Sequence, residues 1–258
     1  LKSTSANSFI QTLTQKMMKK FTALLAAGIA AISLQSASAA LNSWVNWTGA
    51  PGSYNLTMST GASNLNYANS ASGTLFDPNT NSTINVTYSG EVYSLSEFNN
   101  TNGTNWFANT GTYLNSVVST LPPRGNFIAV TGYSGLTNTL TFSSPVTNLL
   151  MSIGSLGNTG TQGRLVFNRN AVVVSSGQGL YGNGPLTMSN STTLVGNEGN
   201  GIVQFEGTWS SLSWTIPNDE QYMVYNIGIS NASASAAAVP EPGQVAASLL
   251  LLSGIGGY

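Results

Sequence analysis

Apolar and polar residues alternate in short runs along most of residues 41–230. In "SLSWTI", residues 211–216, the apolar positions are Leu212, Trp214 and Ile216, with Ser or Thr between them. A period of two is typical of a β-strand with one buried face, because successive side chains point to opposite sides of a strand. This segment therefore predicts a strand that contributes Trp214 to a core.

A second alternating run stands just before it, at "GIVQFEGTW", residues 201–209. Val203, Phe205 and Trp209 share the predicted core face of this run. The opposite face carries Ile202, Gln204, Glu206 and Thr208. We predict a half-buried strand in which Trp209 packs in the core and Glu206 meets solvent.

Turn residues separate many such runs. "NRN" at 168–170 predicts a tight hairpin, since Asn tolerates left-handed backbone angles, and the Gly-rich stretches at 176–185 and 196–201 predict longer loops. Many short strands with such turns favour an all-β fold, an antiparallel β-sandwich of jelly-roll type. One or two helical turns are predicted around residues 113–119. Further strands are predicted at residues 83–95, 126–133, 138–143, 148–155, 164–168, 171–176, 191–196 and 221–230, with weaker ones at 44–48 and 54–60.

Residues 17–40, "MMKKFTALLAAGIAAISLQSASAA", have the order of a secretory signal peptide. A basic start precedes an apolar stretch, which is shorter than the ~20 residues of a membrane span. Ala37 and Ala39 then fit the A-x-A cleavage rule. Cleavage after Ala39 or Ala40 would begin the mature chain at Ala40 or Leu41.

Residues 1–16 precede this signal. We interpret them as an over-extended translation, with Met17 or Met18 as the start of the protein. A longer basic region before the apolar stretch is the alternative.

The end of the chain is apolar although the body is polar. Residues 231–239 have the small-residue composition of a linker. The prolines of Pro240-Glu241-Pro242 cannot continue a helix, and an apolar stretch follows them to residue 258. A spacer, V-P-E-P and an apolar segment resemble the PEP-CTERM sorting signal of Gram-negative bacteria, and Pro240, Glu241 and Pro242 match its motif.

This resemblance implies a route and partners for the protein. In that family a helix anchors the exported protein transiently in the inner membrane, and a membrane protease, the exosortase, recognises and cleaves the tail. The partners would be signal peptidase and exosortase, and the destination the cell surface or extracellular space. Residues 245–258 are shorter than the ~20 that span a bilayer, and no basic cluster follows. We therefore expect the gene to continue with the rest of the span and basic residues.

The body, residues 41–230, resembles the Asn-, Ser- and Gly-rich β-domains that PEP-CTERM surface proteins carry. This second resemblance rests on composition and strand pattern. It implies a link to exopolysaccharide and to the biofilm matrix.

Charged residues make up only 6% of the chain, against about 25% in ordinary domains. Solubility therefore depends on amides and hydroxyls. Cys and His are absent, which excludes disulfides, thiolate metal sites and His-activated nucleophiles. Beyond residue 40 the basic residues are Arg124, Arg164 and Arg169, too few to neutralise a run of phosphates. We therefore expect no nucleic acid partner.

A hydrolase without His or Cys would need a pair of carboxylates. No sequence pattern brings two acidic residues together, so we expect solvated surface carboxylates and predict no catalytic residue. The acids considered are Glu91, Glu97, Glu198, Glu206, Asp219 and Glu220.

"DPNTN", residues 77–81, begins like a calcium-binding loop. Ser82 and Tyr88 stand where that loop requires Gly and Glu, so the motif fails. A β-turn at Asp77-Pro78 is the better interpretation. We assign no metal site and no cofactor, and leave open calcium held by backbone carbonyls of loops.

Carbohydrate binding would use exposed aromatic rings with amides or carboxylates beside them. The candidates for such a site lie in loop-like or edge sequence, and packing inside the core is their alternative role. These candidates are Trp44, Trp47, Trp106 and Tyr181, together with Phe107.

Three hypotheses for function follow. The favoured one is an exported, non-enzymatic surface or matrix protein, structural or adhesive in association with exopolysaccharide. The second is a lectin-like carbohydrate-binding module. The third, ranked lowest, is a glycosidase.

Overall fold

The computed structural model describes residues 15–16, 40–49, 56–58, 65–93, 96–132 and 135–233. The predicted signal peptide with Ala37 and Ala39, and the tail with Pro240, Glu241 and Pro242, lie outside these residues, while Ala40 is among them. None of the helical residues that are described forms a segment with the length and hydrophobicity needed to cross a bilayer.

The described residues form thirteen strands, all paired antiparallel, and a short helix, α1, at Thr110–Tyr113. Residues 15–16 are also helical. The all-β prediction is confirmed, and α1 lies slightly before the predicted helical turns. The Asn109 side chain caps α1 by accepting the Gly111 N–H at 3.0 Å. The strands are β1 (Asn42–Trp44), β2 (Asn46–Gly49), β3 (Leu56–Met58), β4 (Leu65–Asp77), β5 (Ser82–Glu91), β6 (Ile128–Gly132), β7 (Thr137–Leu156), β8 (Gly163–Phe167), β9 (Val172–Ser176), β10 (Leu186–Asn190), β11 (Thr193–Gly196), β12 (Gly199–Thr215) and β13 (Asp219–Ser230).

Two strands, β7 and β12, are much longer than the sequence pattern predicts, and they pair with each other along their length. Each unites two predicted strands. β12 continues through the break predicted between residues 209 and 211, with bulges between Phe205 and Thr208 and between Trp209 and Ser211. Gly207 has a φ of 102°, a left-handed value that glycine adopts without steric cost. Its N–H donates to Oδ1 of Asn148 at 3.2 Å, which links the irregular points of the two strands.

Both long strands change partners near these bulges. Along one edge of β7, residues 139–142 pair with β5 and residues 149–154 pair with β13. Along the far edge of β12, residues 201–204 pair with β9 and residues 214–215 with β8. The two long strands therefore connect two sets of neighbours.

The predicted hairpin at residues 168–170 is wrong. Strands β8 and β9 both pair with β12, at different points of it, and the chain between them runs along that strand. Asn168 holds it there, since its N–H donates to the Ser213 carbonyl at 2.9 Å and its Oδ1 accepts the Ser213 N–H at 3.0 Å.

The first half of β12 is buried on both faces, so the prediction of a half-buried strand is wrong there. Val203 and Phe205 pack in one hydrophobic cluster with Trp214, as predicted. Ile202, on the predicted polar face, packs in a second cluster with side chains from the irregular segment between β5 and β6. Gln204 is also buried, and its Nε2 donates to the Ala232 carbonyl at 2.8 Å. A covering segment distant in sequence thus removes the solvent face.

Strands β4 and β10 were not predicted from the sequence. β4 runs through Asn-, Ser- and Ala-rich sequence of weak strand propensity. It pairs with β5 from Ala68↔Glu91 to Asp77↔Ser82, and Ala71 and Leu75 are buried. Pairing with a strongly alternating neighbour therefore outweighs local propensity.

Candidate functional site

Three of the four predicted sugar-binding aromatics are buried. The exposed fraction is 9% for Trp44, 0% for Trp47 and 4% for Trp106, and Phe107 is buried as well. These rings therefore take the alternative role, packing in the core, as large aromatics usually do. Tyr181 is the exception, with 58% of its surface exposed.

Tyr181 stands at the rim of a pocket of about 230 Å³, called the Tyr181 pocket below. Its walls come from the end of β7, the turn between β11 and β12, the start of β13 and the loop between β9 and β10. The lining residues are Ser155, Gly157, Asn158, Tyr181, Glu198, Glu220 and Tyr222. At this size the pocket suits a group of about one ring, since cavities for drug-sized ligands are roughly 300–1,000 Å³.

Trp106 supports the aromatic side of the pocket from beneath. Its ring centroid lies 5.2 Å from that of Tyr181 and 5.3 Å from that of Tyr222, both in tilted contacts. The indole also contacts Phe127 edge-on, at a centroid distance of 6.2 Å. Trp106 therefore positions the two tyrosines without itself meeting a ligand.

The loop that carries Tyr181 is tied to the turn beside it. Nδ2 of Asn200 donates to the Tyr181 carbonyl at 3.1 Å, and the Gly184 N–H donates to the Glu198 carbonyl at 3.1 Å. A Cβ at Gly184 would lie 1.6 Å from the Asn197 carbonyl oxygen, so only glycine allows this close approach. The exposed ring is thus presented from a fixed backbone.

Two of the candidate acids meet in this pocket. Oε2 of Glu198 accepts the Ser155 hydroxyl at 2.6 Å, and Oε2 of Glu220 accepts the Gly157 N–H at 2.6 Å. Glu198 is half-buried and Glu220 only 1% exposed. The expectation that no two of these acids share a site is wrong, because the β11–β12 turn and the start of β13 each bring an acid to the end of β7.

Tyr222 contributes a phenol that stays protonated. Burial is the main cause that raises its pKa well above 10, and the negative charge of Glu97 and the neighbouring Tyr93 and Tyr181 raise it further. At neutral pH the hydroxyl therefore keeps its proton and can donate a hydrogen bond. The pocket thus combines aromatic rings, a hydroxyl donor and carboxylate acceptors.

Other candidate acids hold the fold. Oε2 of Glu91, which is fully buried, accepts the Gly132 N–H at 3.0 Å. Both carboxylate oxygens of Glu97 accept the Thr104 N–H, at 3.2 and 3.0 Å. Asp219 pairs with Gly132 through the backbone of β13 and β6.

The turn predicted at Asp77 is present. Oδ1 of Asp77 accepts the Asn79 N–H at 2.8 Å and Oδ2 accepts the Thr80 hydroxyl at 2.9 Å. The carboxylate therefore stabilises the β4–β5 turn. Within the described ranges, no three Asp, Glu, His or Cys side chains gather as metal ligands.

A second and larger cavity, of about 490 Å³, lies along β12 and is called the Trp209 groove below. Trp209 was predicted in the core, yet it is only half-buried, and the Arg169 guanidinium lies over it with Cζ 5.0 Å from the ring centroid. Glu206 is also half-buried in this groove. The two bulges disturb the alternation from which the sequence prediction assigned their faces.

Sequence reasoning missed both the convergence at the Tyr181 pocket and the groove at Trp209. The local signal for the Tyr181 pocket was a Tyr inside a Gly-rich loop. The Trp209 groove had no local signal beyond "NRN" between two predicted strands. Compared with known proteins, the chain matches no family model, no curated protein and no solved structure.

Proposed function

We propose that this chain is an exported, non-catalytic β-protein of the bacterial surface or extracellular matrix that binds exopolysaccharide through the Tyr181 pocket. The observation that carries this proposal is Tyr181 itself, an exposed ring on a fixed loop with buried Trp106 beneath it. A ring already held in place loses little side-chain entropy when it stacks on a sugar. The surrounding hydroxyl, amide and carboxylate groups supply directional hydrogen bonds for sugar hydroxyls.

The charge of the Tyr181 pocket favours neutral or amine-bearing sugars. Among the described residues that line this pocket, the acids are Glu198 and Glu220, and none is Lys or Arg. A carboxylated sugar would meet like charges, which disfavour binding. Neutral sugars avoid this repulsion, and an ammonium group would be attracted.

Substitution of Tyr181 tests the pocket. The full-length chain is screened against immobilised neutral, amino and acidic glycans, and the best ligand is then titrated by calorimetry. Tyr181→Ala is expected to weaken its binding at least about fivefold, since a stacked ring contributes on the order of 1 kcal/mol or more.

Leu180→Ala is the matched control, because Leu180 is 49% exposed on the same loop. Its affinity should stay within about twofold of the wild type. Equal binding by Tyr181→Ala and the wild type would overturn the pocket as the site. Trp106→Ala is a poor probe, because Trp106 is buried and its loss would disturb the fold.

Export and sorting are supported by the two terminal sequences described above. The β-domain adds a geometric observation, since Leu41 and Asn231 meet: the Leu41 N–H donates to Oδ1 of Asn231 at 2.7 Å and the Asn231 N–H to the Leu41 carbonyl at 2.9 Å. The proposed mature start and the proposed linker therefore begin side by side.

Mutation of the tail tests the sorting route in a host that carries an exosortase and the completed gene. Glu241→Ala and Pro242→Ala should leave the tail uncleaved and the protein membrane-bound, as seen by fractionation and mass spectrometry. Pro217→Ala, at an exposed proline of the β-domain, is the control and should be released normally. Release of all three variants would contradict the proposal.

We also propose that the β-domain is a sandwich of jelly-roll type, in which β7 and β12 contribute to both sheets. The change of partners near the bulges supports this arrangement. So does the shared hydrophobic cluster, which includes Leu140 and Phe142 from the first half of β7 and Leu149 and Ile153 from the second.

A glycosidase is the second candidate, favoured by one observation: Glu198 and Glu220 line the same pocket. Retaining and inverting enzymes both use two carboxylates flanking the bond that breaks. Release of reducing ends from the glycan that binds, lost in both Glu198→Gln and Glu220→Gln, would favour this function. Binding without release of reducing ends is the result expected from our proposal.

A further inference from the structure

The Trp209 groove forms where the edge of β12 has no strand beside it. β9 pairs with residues 201–204 and β8 with residues 214–215, and within the described residues no strand pairs with this edge between them. The connection at residues 168–171 passes there as irregular chain. The bulged middle of β12 is thus left open to solvent, with side chains of both segments as walls.

Arg169 is held in this groove with donor capacity to spare. Its guanidinium lies over the Trp209 ring, an arrangement stabilised by cation–π attraction. Nη1 donates to the Asn168 carbonyl at 3.3 Å, while Nε is buried and has no hydrogen-bond partner among the described residues. An unpaired buried N–H is costly, so a small shift of the side chain that pairs Nε with an acceptor in the groove is favourable.

Trp209 is fixed as well, so the stack is pre-formed. Its Nε1 donates to the Phe205 carbonyl at 3.1 Å, across the first bulge. The indole cannot turn away without breaking this bond, so the aromatic face next to the guanidinium is held in place. A fixed planar fork suits a carboxylate, which can accept two parallel N–H donors.

The other walls fit the body of a sugar. Val172 is a large apolar side chain with 45% of its surface exposed, and exposed Asn168 and Asn170 offer amide groups. Glu206 lines the groove too and can accept hydrogen bonds from hydroxyls. The groove therefore offers one cation for an acid group, an apolar surface for a ring, and amide and carboxylate partners for hydroxyls.

We propose that the Trp209 groove is a second saccharide site, which takes carboxylated sugars of the uronate class through the Arg169 guanidinium. It is independent of the Tyr181 pocket and differs from it in charge: the groove has Arg169 beside Glu206, whereas the described residues that line the pocket include two acids and no Lys or Arg. One chain could then contact both neutral and acidic parts of a mixed polysaccharide.

The experiment titrates the full-length chain at low salt with tetragalacturonate and with an uncharged galactose tetramer. The wild type should bind the acidic probe at least about tenfold more tightly, and Arg169→Gln should lose about tenfold or more of that affinity. Arg169→Lys keeps the charge but not the planar fork of donors, so its affinity for tetragalacturonate should lie between those of the wild type and Arg169→Gln. Arg164→Gln is the matched control, since Arg164 is exposed on neighbouring β8, and should stay within about twofold.

A second variant keeps the test valid if Arg169→Gln unfolds. Val172→Asp adds a negative charge at an exposed position of the groove. It should also weaken the binding of tetragalacturonate about tenfold. Tyr181→Ala should leave binding of tetragalacturonate unchanged, whatever it does to neutral sugars. Absence of millimolar binding to tetragalacturonate, equal binding of the two probes, or full binding by a folded Arg169→Gln would each overturn the proposal.

Discussion

Two aromatic clusters of this domain consist of the same residue types, Trp and Tyr, but one is buried in the core and the other lines a pocket. The core cluster consists of Trp47, Tyr88, Trp214 and Tyr225, whose rings meet at centroid distances of 5.4–6.4 Å. The pocket cluster consists of Trp106, Tyr181 and Tyr222. Every ring of the core cluster is at most 1% exposed, whereas the pocket cluster ends in a Tyr that is mostly exposed.

Each cluster also has carboxylates beside it. Glu91 lies by the core cluster and is fully buried, with a hydrogen bond to the backbone of β6. Glu198 lies by the pocket cluster and is half-buried. The comparison shows that burial by neighbouring elements, not residue type, decides whether an aromatic cluster stabilises the core or lines a pocket. Strands enclose the core cluster, while the pocket cluster lies where strands end and loops begin.

The largest effect is expected in the core cluster. Trp214→Ala should lower the free energy of unfolding by about 3–5 kcal/mol, because it leaves a cavity among packed rings. Urea denaturation followed by circular dichroism measures this. Tyr181→Ala, in the pocket cluster, should change the same free energy by less than about 0.5 kcal/mol, and similar losses in both variants would break the comparison.

Alkaline pH should act on the core cluster next. Burial raises the pKa of Tyr88 and Tyr225 well above 10 in the folded chain, while the unfolded phenols ionise near pH 10. Their contribution to stability is therefore complete below about pH 10 and is lost as the pH rises toward the folded pKa. Each such Tyr should lower the free energy of unfolding by about 1.4 kcal/mol per pH unit above 10.

Urea titrations at pH 9, 10 and 11 measure this slope. Tyr225→Phe should reduce it, since that ring no longer ionises on unfolding. An unaltered slope in Tyr225→Phe would contradict the assignment.

An intermediate effect is expected from the loop that presents Tyr181. Gly184→Ala puts a methyl group against the Asn197 carbonyl, and the loop must move. We expect a loss of about 1–3 kcal/mol in stability and a loss of sugar binding. Gly160→Ala is the control, because its added methyl meets nothing closer than 3.7 Å. Calorimetry should find the sugar affinity of Gly160→Ala unchanged. Unaltered sugar affinity of Gly184→Ala would show that the loop need not be fixed.

The smallest effect sharpens the role of the exposed ring. Tyr181→Phe removes only the hydroxyl and keeps the stacking surface above Trp106. Stability should change by less than about 0.5 kcal/mol and the affinity for the neutral sugar by less than about threefold. A loss as large as that of Tyr181→Ala would mean that the hydroxyl, not the ring face, binds the ligand.

The sequence predicted the strands whose alternation is complete, even where their partners lie far along the chain. β13 and the second half of β12 form where the alternation places them, and Trp214 is in the core as expected. It could not predict that the first half of β12 is buried on both faces, because the covering segment is distant in sequence. β4 was missed for a similar reason: β5, not its own propensity, makes it a strand.

Tyr181 was the only predicted sugar-binding aromatic that proved exposed. Glycines around it indicated a loop, and loops lie at the surface. Trp44, Trp47 and Trp106 had no such local sign of their burial. Glu198 and Glu220 could not be paired from the sequence, because the contact between their segments depends on how β7, β12 and β13 align.

By itself, the sequence determined the all-β class, because a period of two is a local property of the chain. It also supplies the terminal patterns on which the proposed export depends. The tertiary structure alone decided which aromatic rings are enclosed, which acids meet in the Tyr181 pocket, and where an open edge of β12 leaves the Trp209 groove. The reason is physical: burial and convergence depend on neighbours far along the chain, and bulges in one long strand can reverse the faces that a regular alternation predicts.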